Sequence, residues 1–250
     1  MQVIVDDLII DYARSGSGKT VVLIHGWGDL SSGFESLRRE LDKQFDIIVP
    51  DLPGFGGSQM PPKAWGIDDY AAFLATFLKK INVNNVYALI GHSNGGAIAI
   101  RGLANGQLSS KKLILLASAG IRGKYRGRVK AIRYITKLGK VLSKPLPSSA
   151  KKHLRHKVYR TVGSDMLVAE HLQETFKKIV TDDVQAAAAK LTLPTLLIYG
   201  KNDTQTPVSY GVLFHSLIKG SRLTILPDGD HFFHLDHTRE VVQSVREFLK

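Results

Sequence analysis

The sequence predicts an α/β fold: an eight-stranded, mostly parallel sheet with helices on both faces and a helical insertion after the sixth strand. Three observations carry that expectation. Short apolar runs alternate with longer stretches whose apolar residues recur at three- and four-residue steps. A hairpin pattern opens the chain, ahead of the alternation. The alternation is interrupted once, over roughly 65 residues from Ala119 to Asp183, by helical spacing alone.

The elements follow in order. Val3–Val5 and Leu8–Tyr12, separated by Asp6-Asp7, read as a β-hairpin. Val21–Ile24 is a run suited to a strand buried on both faces, and it stops at His25-Gly26. Helical spacing covers about Phe34–Leu41, and Ile47–Val49 forms the next strand. Asp68–Ile81 is a helix marked by Tyr70, Phe73, Leu74, Phe77, Leu78 and Ile81. Val86–Ile90 is a strand, Asn94–Ala104 a helix and Leu113–Leu116 the sixth strand. Inside the interruption, Val129, Ile132, Ile135, Leu138 and Val141 mark one stripe. Leu172, Phe176, Ile179 and Val180 mark another. Thr195–Tyr199 and Leu223–Leu226 complete the strands, and a helix from about Asp236 to Leu249 ends the chain. The expected division is a core of residues 1–118 and 184–250 with a helical cap at 119–183.

With 250 residues, 44% of them hydrophobic and 22% charged, the chain is long enough for a full core. The absence of cysteine excludes disulfides, thiolate metal sites and a cysteine nucleophile. The N-terminus has no basic stretch, and Asp6 and Asp7 interrupt its apolar run, so no secretory signal is expected. No segment reaches the apolar length of a membrane span, which makes the cytoplasm the default location. The net charge of +12 is concentrated in one place. Arg122–Arg160 holds fourteen basic residues and no acid, while the rest has 20 basic against 22 acidic. Two readings stand for that segment. Its helices show basic faces to water, or they draw in an anionic substrate or rest on an acidic surface. Nucleic acid is disfavoured, because the segment has no recognised motif and few aromatics.

Gly91-His92-Ser93-Asn94-Gly95 fits G-x-S-x-G, and it lies between a strand and a helix. A serine on such a tight turn is lifted above the sheet and needs small neighbours, which Gly91 and Gly95 supply. A serine hydroxyl needs an adjacent base. His231 lies in the loop after the last strand, on the sheet edge where carboxyl ends converge. His234 and His237 compete with it but fall at the start of the last helix. Asp203 follows the seventh strand on the same edge and would hold the tautomer of His231. A metal reading of His231 and His234 with Asp228 and Asp230 lacks a supporting ligand cluster elsewhere. The tetrahedral intermediate needs donors, which the backbone N–H groups of Asn94 and of Trp27 in His25-Gly26-Trp27-Gly28 can offer. His25 itself reads as a structural hydrogen-bonding residue.

These motifs, with Asp51-Leu52-Pro53-Gly54-Phe55-Gly56-Gly57-Ser58, make the sequence resemble the α/β-hydrolase fold family. Within it the chain is most similar to small bacterial carboxylesterases and C–C bond hydrolases. The resemblance covers nearly everything outside 119–183, which looks like the family's cap domain. It implies a small-molecule ester substrate, a Ser93–Asp203–His231 triad, and neither a metal nor an organic cofactor. It leaves open C–C, thioester or amide hydrolysis and perhydrolysis on the same triad, and a ligand-binding member that keeps a residual triad. Ser93 disfavours relatives that use an Asp nucleophile.

Overall fold

The computed structural model describes residues 1–122 and 170–250. Most of the expected cap, with the Val129–Val141 stripe and nearly all of the basic segment, lies outside the described residues.

The opening hairpin pairs β1 (Gln2–Val5) with β2 (Leu8–Ser15), with Val5 opposite Leu8. Its two-residue turn sets Asp6 and Asp7 at φ 47° and 65°, the left-handed pair that matches strand twist. The remaining strands are β3 (Lys19–Ile24), β4 (Phe45–Pro50), β5 (Val86–His92), β6 (Lys112–Leu116), β7 (Thr195–Gly200) and β8 (Arg222–Leu226). They form one eight-stranded sheet in the order β1-β2-β4-β3-β5-β6-β7-β8. Only β1 with β2 and β2 with β4 pair antiparallel; β4 through β8 are parallel. The expected sheet is therefore the observed one.

Side chains that alternate along the strands feed two cores. Val22, Ile24, Leu89, Leu113, Leu115 and Leu197 face α2 (Ile67–Lys80) and α3 (Asn94–Ala104). Val21, Leu23, Ile90, Ile114, Leu116 and Ile198 face α1 (Glu35–Leu41) and the C-terminal helix. Each of these twelve strand residues is at most 1% exposed, so both faces are dry. Burying one such Val, Leu or Ile stabilises by about 1.5–3 kcal/mol, which explains why β3, β5 and β6 read as continuous apolar runs.

Several boundaries differ from the sequence reading. The run Leu172–Thr181 does form helix α4 (Gln173–Thr181), but Val180 is exposed, and Thr175 takes the buried place. The Thr175 hydroxyl accepts from Trp65 N–H, so a polar residue fills the inner face. A short helix α5 (Gln185–Ala188) and a longer α6 (Val208–Leu217), the latter with weak helical periodicity, escape the sequence reading. The expected last helix is α8 (Thr238–Leu249), and a short α7 (Phe233–Asp236), absent from the sequence reading, precedes it with a break at His237. Among the described residues no helix is long and apolar enough to cross a membrane.

Candidate active site

Ser93 occupies the turn between β5 and α3 at φ 50°, a left-handed conformation unusual for a residue with a side chain. The turn is held from both sides. Ser93 N–H donates to Leu116 O at 2.9 Å, and Ser93 O accepts from Ala119 N–H at 2.9 Å. The close packing forbids larger neighbours. A Cβ on Gly91 would lie 2.6 Å from Gly95 O, and one on Gly95 would lie 2.1 Å from Ile24 O. The small residues that the motif supplies are thus a steric requirement of the strand-to-helix crossing.

Because β5, β7 and β8 run parallel, their carboxyl ends share one edge, and the loops carrying Asp203 and His231 meet there. His231 Nδ1 donates to Asp203 Oδ2 at 2.8 Å, and both residues are buried. An ionised carboxylate only accepts, so the proton sits on Nδ1 and leaves Nε2 as the basic nitrogen. Asp203 Oδ1 accepts from Gln205 N–H at 2.8 Å and from Thr206 N–H at 2.9 Å. The Thr206 hydroxyl lies 2.7 Å from Asp203 Oδ2, 3.0 Å from Ala117 O and 3.2 Å from His231 Nδ1. Burial pushes the Asp203 carboxyl up, but the bonds from His231 and Thr206 outweigh it and hold the group below its ordinary range. Ser93 and His231 stand at the same carboxyl edge of the sheet, on the loops after β5 and β8.

Asn94 is the first residue of α3, so its N–H has no carbonyl one turn back. Across from it, the loop after β3 turns at Gly26-Trp27-Gly28-Asp29. Asp29 N–H donates to Gly26 O at 3.4 Å, and Gly28 at φ 74° takes the position that needs glycine in a type II turn. His25 is buried beneath it. Its Nδ1–H donates to Gly26 O at 2.8 Å, and its Nε2 accepts from Leu52 N–H at 2.9 Å. Both nitrogens are committed to backbone, in keeping with the structural role expected. Ser93 opens into a cavity of about 370 Å³ lined by Trp27, Phe176, Ile179, Tyr210 and Thr206 among others. Trp27 stacks its edge toward Phe55 and tilts on Phe176, both at 5.1 Å. Leu30 lines a separate groove with Gly54 and Met60.

The chain is similar to known proteins in sequence and fold. The sequence pattern of the alpha/beta hydrolase family matches residues 21–244. The chain belongs to that family. It is 27% identical to a pimeloyl-acyl-carrier-protein methyl ester esterase of Pseudoalteromonas atlantica, over 93% of this chain and 95% of the relative. It is 24% identical to the 2-hydroxy-6-oxo-2,4-heptadienoate hydrolase of Pseudomonas putida, over 94% of this chain and 90% of that protein. Among solved structures, a bacterial membrane phospholipase A superposes with a TM-score of 0.80 at 24% identity, covering 100% of this chain and 84% of that one. At that identity the superposition speaks for the fold alone.

In this alpha/beta hydrolase the structure brings Ser93, Asn94, Trp27, Asp203 and His231 to one edge of the sheet. It does not assemble His231, His234, Asp228 and Asp230. His231 Nδ1 is held by Asp203, and Asp230 accepts from Phe232 N–H at 2.7 Å. Sequence reasoning missed Thr206. The signal was present in Asp203-Thr204-Gln205-Thr206, where a carboxylate that accepts from the two following N–H groups is the expected Asx turn. It also passed over His92, whose ring lies 4.9 Å from that of His231 and 4.3 Å from that of His234.

Proposed function

We propose that this hydrolase cleaves carboxylic esters through an acyl-enzyme on Ser93, with Asp203 and His231 completing a triad beneath a cap at 119–183. The observation that carries the reading is the buried 2.8 Å bond between His231 Nδ1 and Asp203, beside a Ser93 held at positive φ. His231 Nε2 takes the Ser93 proton as Oγ attacks the ester carbonyl. The N–H groups of Trp27 and Asn94 stabilise the oxyanion. His231 passes its proton to the departing alcohol, and the acyl group stays on Oγ. Water then gives its proton to His231 and attacks the acyl carbon, so the acid leaves and Ser93 regains its proton. The carboxylate of Asp203 stays ionised throughout and stabilises the imidazolium.

The esterase relative of Pseudoalteromonas atlantica supports this choice, and the cavity volume suits a short to medium acyl group. A second reading, C–C bond hydrolysis on the same residues, is supported by the Pseudomonas putida relative. Wild type and Ser93→Ala are to be assayed side by side on p-nitrophenyl esters and on a ring-opened 2-hydroxy-6-oxo-dienoate. Ester turnover that vanishes in the variant is the expected result. Ester turnover retained by a clean Ser93→Ala preparation overturns the assignment. Dienoate cleavage without ester turnover selects the C–C reading. Ser93 labelled by a fluorophosphonate without any turnover points to a binding role.

A further inference from the structure

Behind the triad lies a second group of side chains with no part in the hydrolytic scheme. Asp29, His92 and His234 each present one donor atom, and these atoms lie within 4.8 Å of one another. They come from three separate segments: the loop after β3, the last residue of β5 and helix α7. Two further features set the group apart from a chance contact.

The first is unused bonding capacity. His92 and His234 are each 1% exposed. His92 Nδ1 and both ring nitrogens of His234 are buried without a hydrogen-bond partner. Leaving a buried polar atom unpaired is costly, so three in one spot call for a missing partner. The second is orientation. His92 Nε2–H donates to His231 O at 2.9 Å, which fixes the proton there and leaves Nδ1 as a bare lone pair. Ligating histidines are commonly held in this way, by a carbonyl on the far nitrogen. Leu30 N–H binds Asp29 Oδ1 at 2.9 Å, which orients the carboxylate.

We infer that Asp29, His92 and His234 form a binding site for one divalent transition-metal ion of the zinc class. Two imidazoles and a carboxylate are a donor set of that class, with the fourth position left to water. Ligand atoms around tetrahedral zinc stand about 3.3 Å apart, given bonds of roughly 2.0 Å, so the present spacing closes by small side-chain rotations. The ion ties together the turn that carries Trp27, the strand end that carries Ser93 and the loop that carries His231. Its role is structural, a clamp on the segments that must stay in register for catalysis.

The site does not depend on the ester reading, because metal binding is read without substrate. Chelator-stripped full-length protein is titrated with Zn²⁺ by calorimetry and with Co²⁺ by visible absorption. The variants are Asp29→Asn, a half-exposed change that keeps the packing, and His234→Ala, with folding checked by circular dichroism. The expected result is one equivalent bound by wild type, ligand-field bands with Co²⁺ and a higher melting temperature with Zn²⁺. Each folded variant loses on the order of 100-fold in affinity or more, at or beyond the upper end of the roughly 10–100-fold that losing an outer contact costs. Absence of stoichiometric binding in wild type overturns the site. Wild-type affinity in either folded variant does the same, since it places the ion elsewhere. If His234→Ala does not fold, Asp29→Asn decides alone.

Discussion

His231 and His234 are three residues apart on the same stretch of chain, both buried, and their surroundings are opposite. His231 has its Nδ1 bonded to an ionised carboxylate and the Thr206 hydroxyl close by. His234 has neither nitrogen bonded, packs 5.3 Å from Phe34, and is pushed down to about 4, mainly by burial. Burial alone therefore does not make a base. It makes an imidazole that resists protonation, and only an acid fixed on the far nitrogen turns the near one into a proton acceptor for a serine.

The comparison breaks most sharply at His231 itself. His231→Ala is expected to lower kcat for an ester by about 10⁴-fold or more, with the fold kept, because no other group takes the serine proton. If His234 substitutes for it, the loss will be far smaller in a steady-state assay. Asp203→Asn comes next. The amide still accepts from Gln205 and Thr206 N–H groups, but its NH₂ faces His231 and forces the proton onto Nε2. A loss on the order of 10³–10⁴-fold in kcat is expected, with near-unchanged KM. A drop below about tenfold, measured on the same ester, means that Asp203 only positions the loop.

Thr206→Val tests the finer part of the contrast. It removes a hydroxyl that supports Asp203, at a cost of about 1 kcal/mol or roughly fivefold in kcat, and Thr206→Ser is expected to restore the rate. The sign of its pH effect follows from Asp203. A carboxyl held below its ordinary value contributes stability that is full above the unfolded pKa of about 3.9 and is lost as pH falls through the lower folded value. Thr206→Val raises that folded value, so acid unfolding followed by fluorescence is expected to begin at higher pH than in wild type.

The sequence made the frame of this site legible and hid its support. Strand ends are marked by apolar runs that stop at glycine or a charged loop, so Ser93, Asp203 and His231 could be placed on one edge from order alone. Helix α6 was hidden because Val208–Leu217 is apolar on most sides and shows little periodicity. Val180 was misassigned because periodicity marks an apolar stripe, whereas the inner face here is completed by Thr175 and its bond to Trp65. The Asp29–His92–His234 group was invisible for a different reason. Its members are far apart in the chain, on segments that meet only through the β3–β5 pairing and the fold-back of the loop after β8.

The smallest effect concerns His234. In metal-free protein its two unpaired nitrogens are a burden, and His234→Phe replaces them with a ring of similar shape that packs against Phe34. Removing unsatisfied polar atoms is expected to stabilise by about 1–2 kcal/mol. For a chain of this size that is a rise in melting temperature of roughly 2–8 °C, read by calorimetry after chelation. The same change at His231 would strip Asp203 of its partner and lower stability instead. Opposite signs for one substitution at two positions, three residues apart, are what the contrast between a partnered and an orphaned imidazole requires. A fall in melting temperature for His234→Phe in chelated protein means that its nitrogens are satisfied by water, and the orphan half of the contrast goes with it.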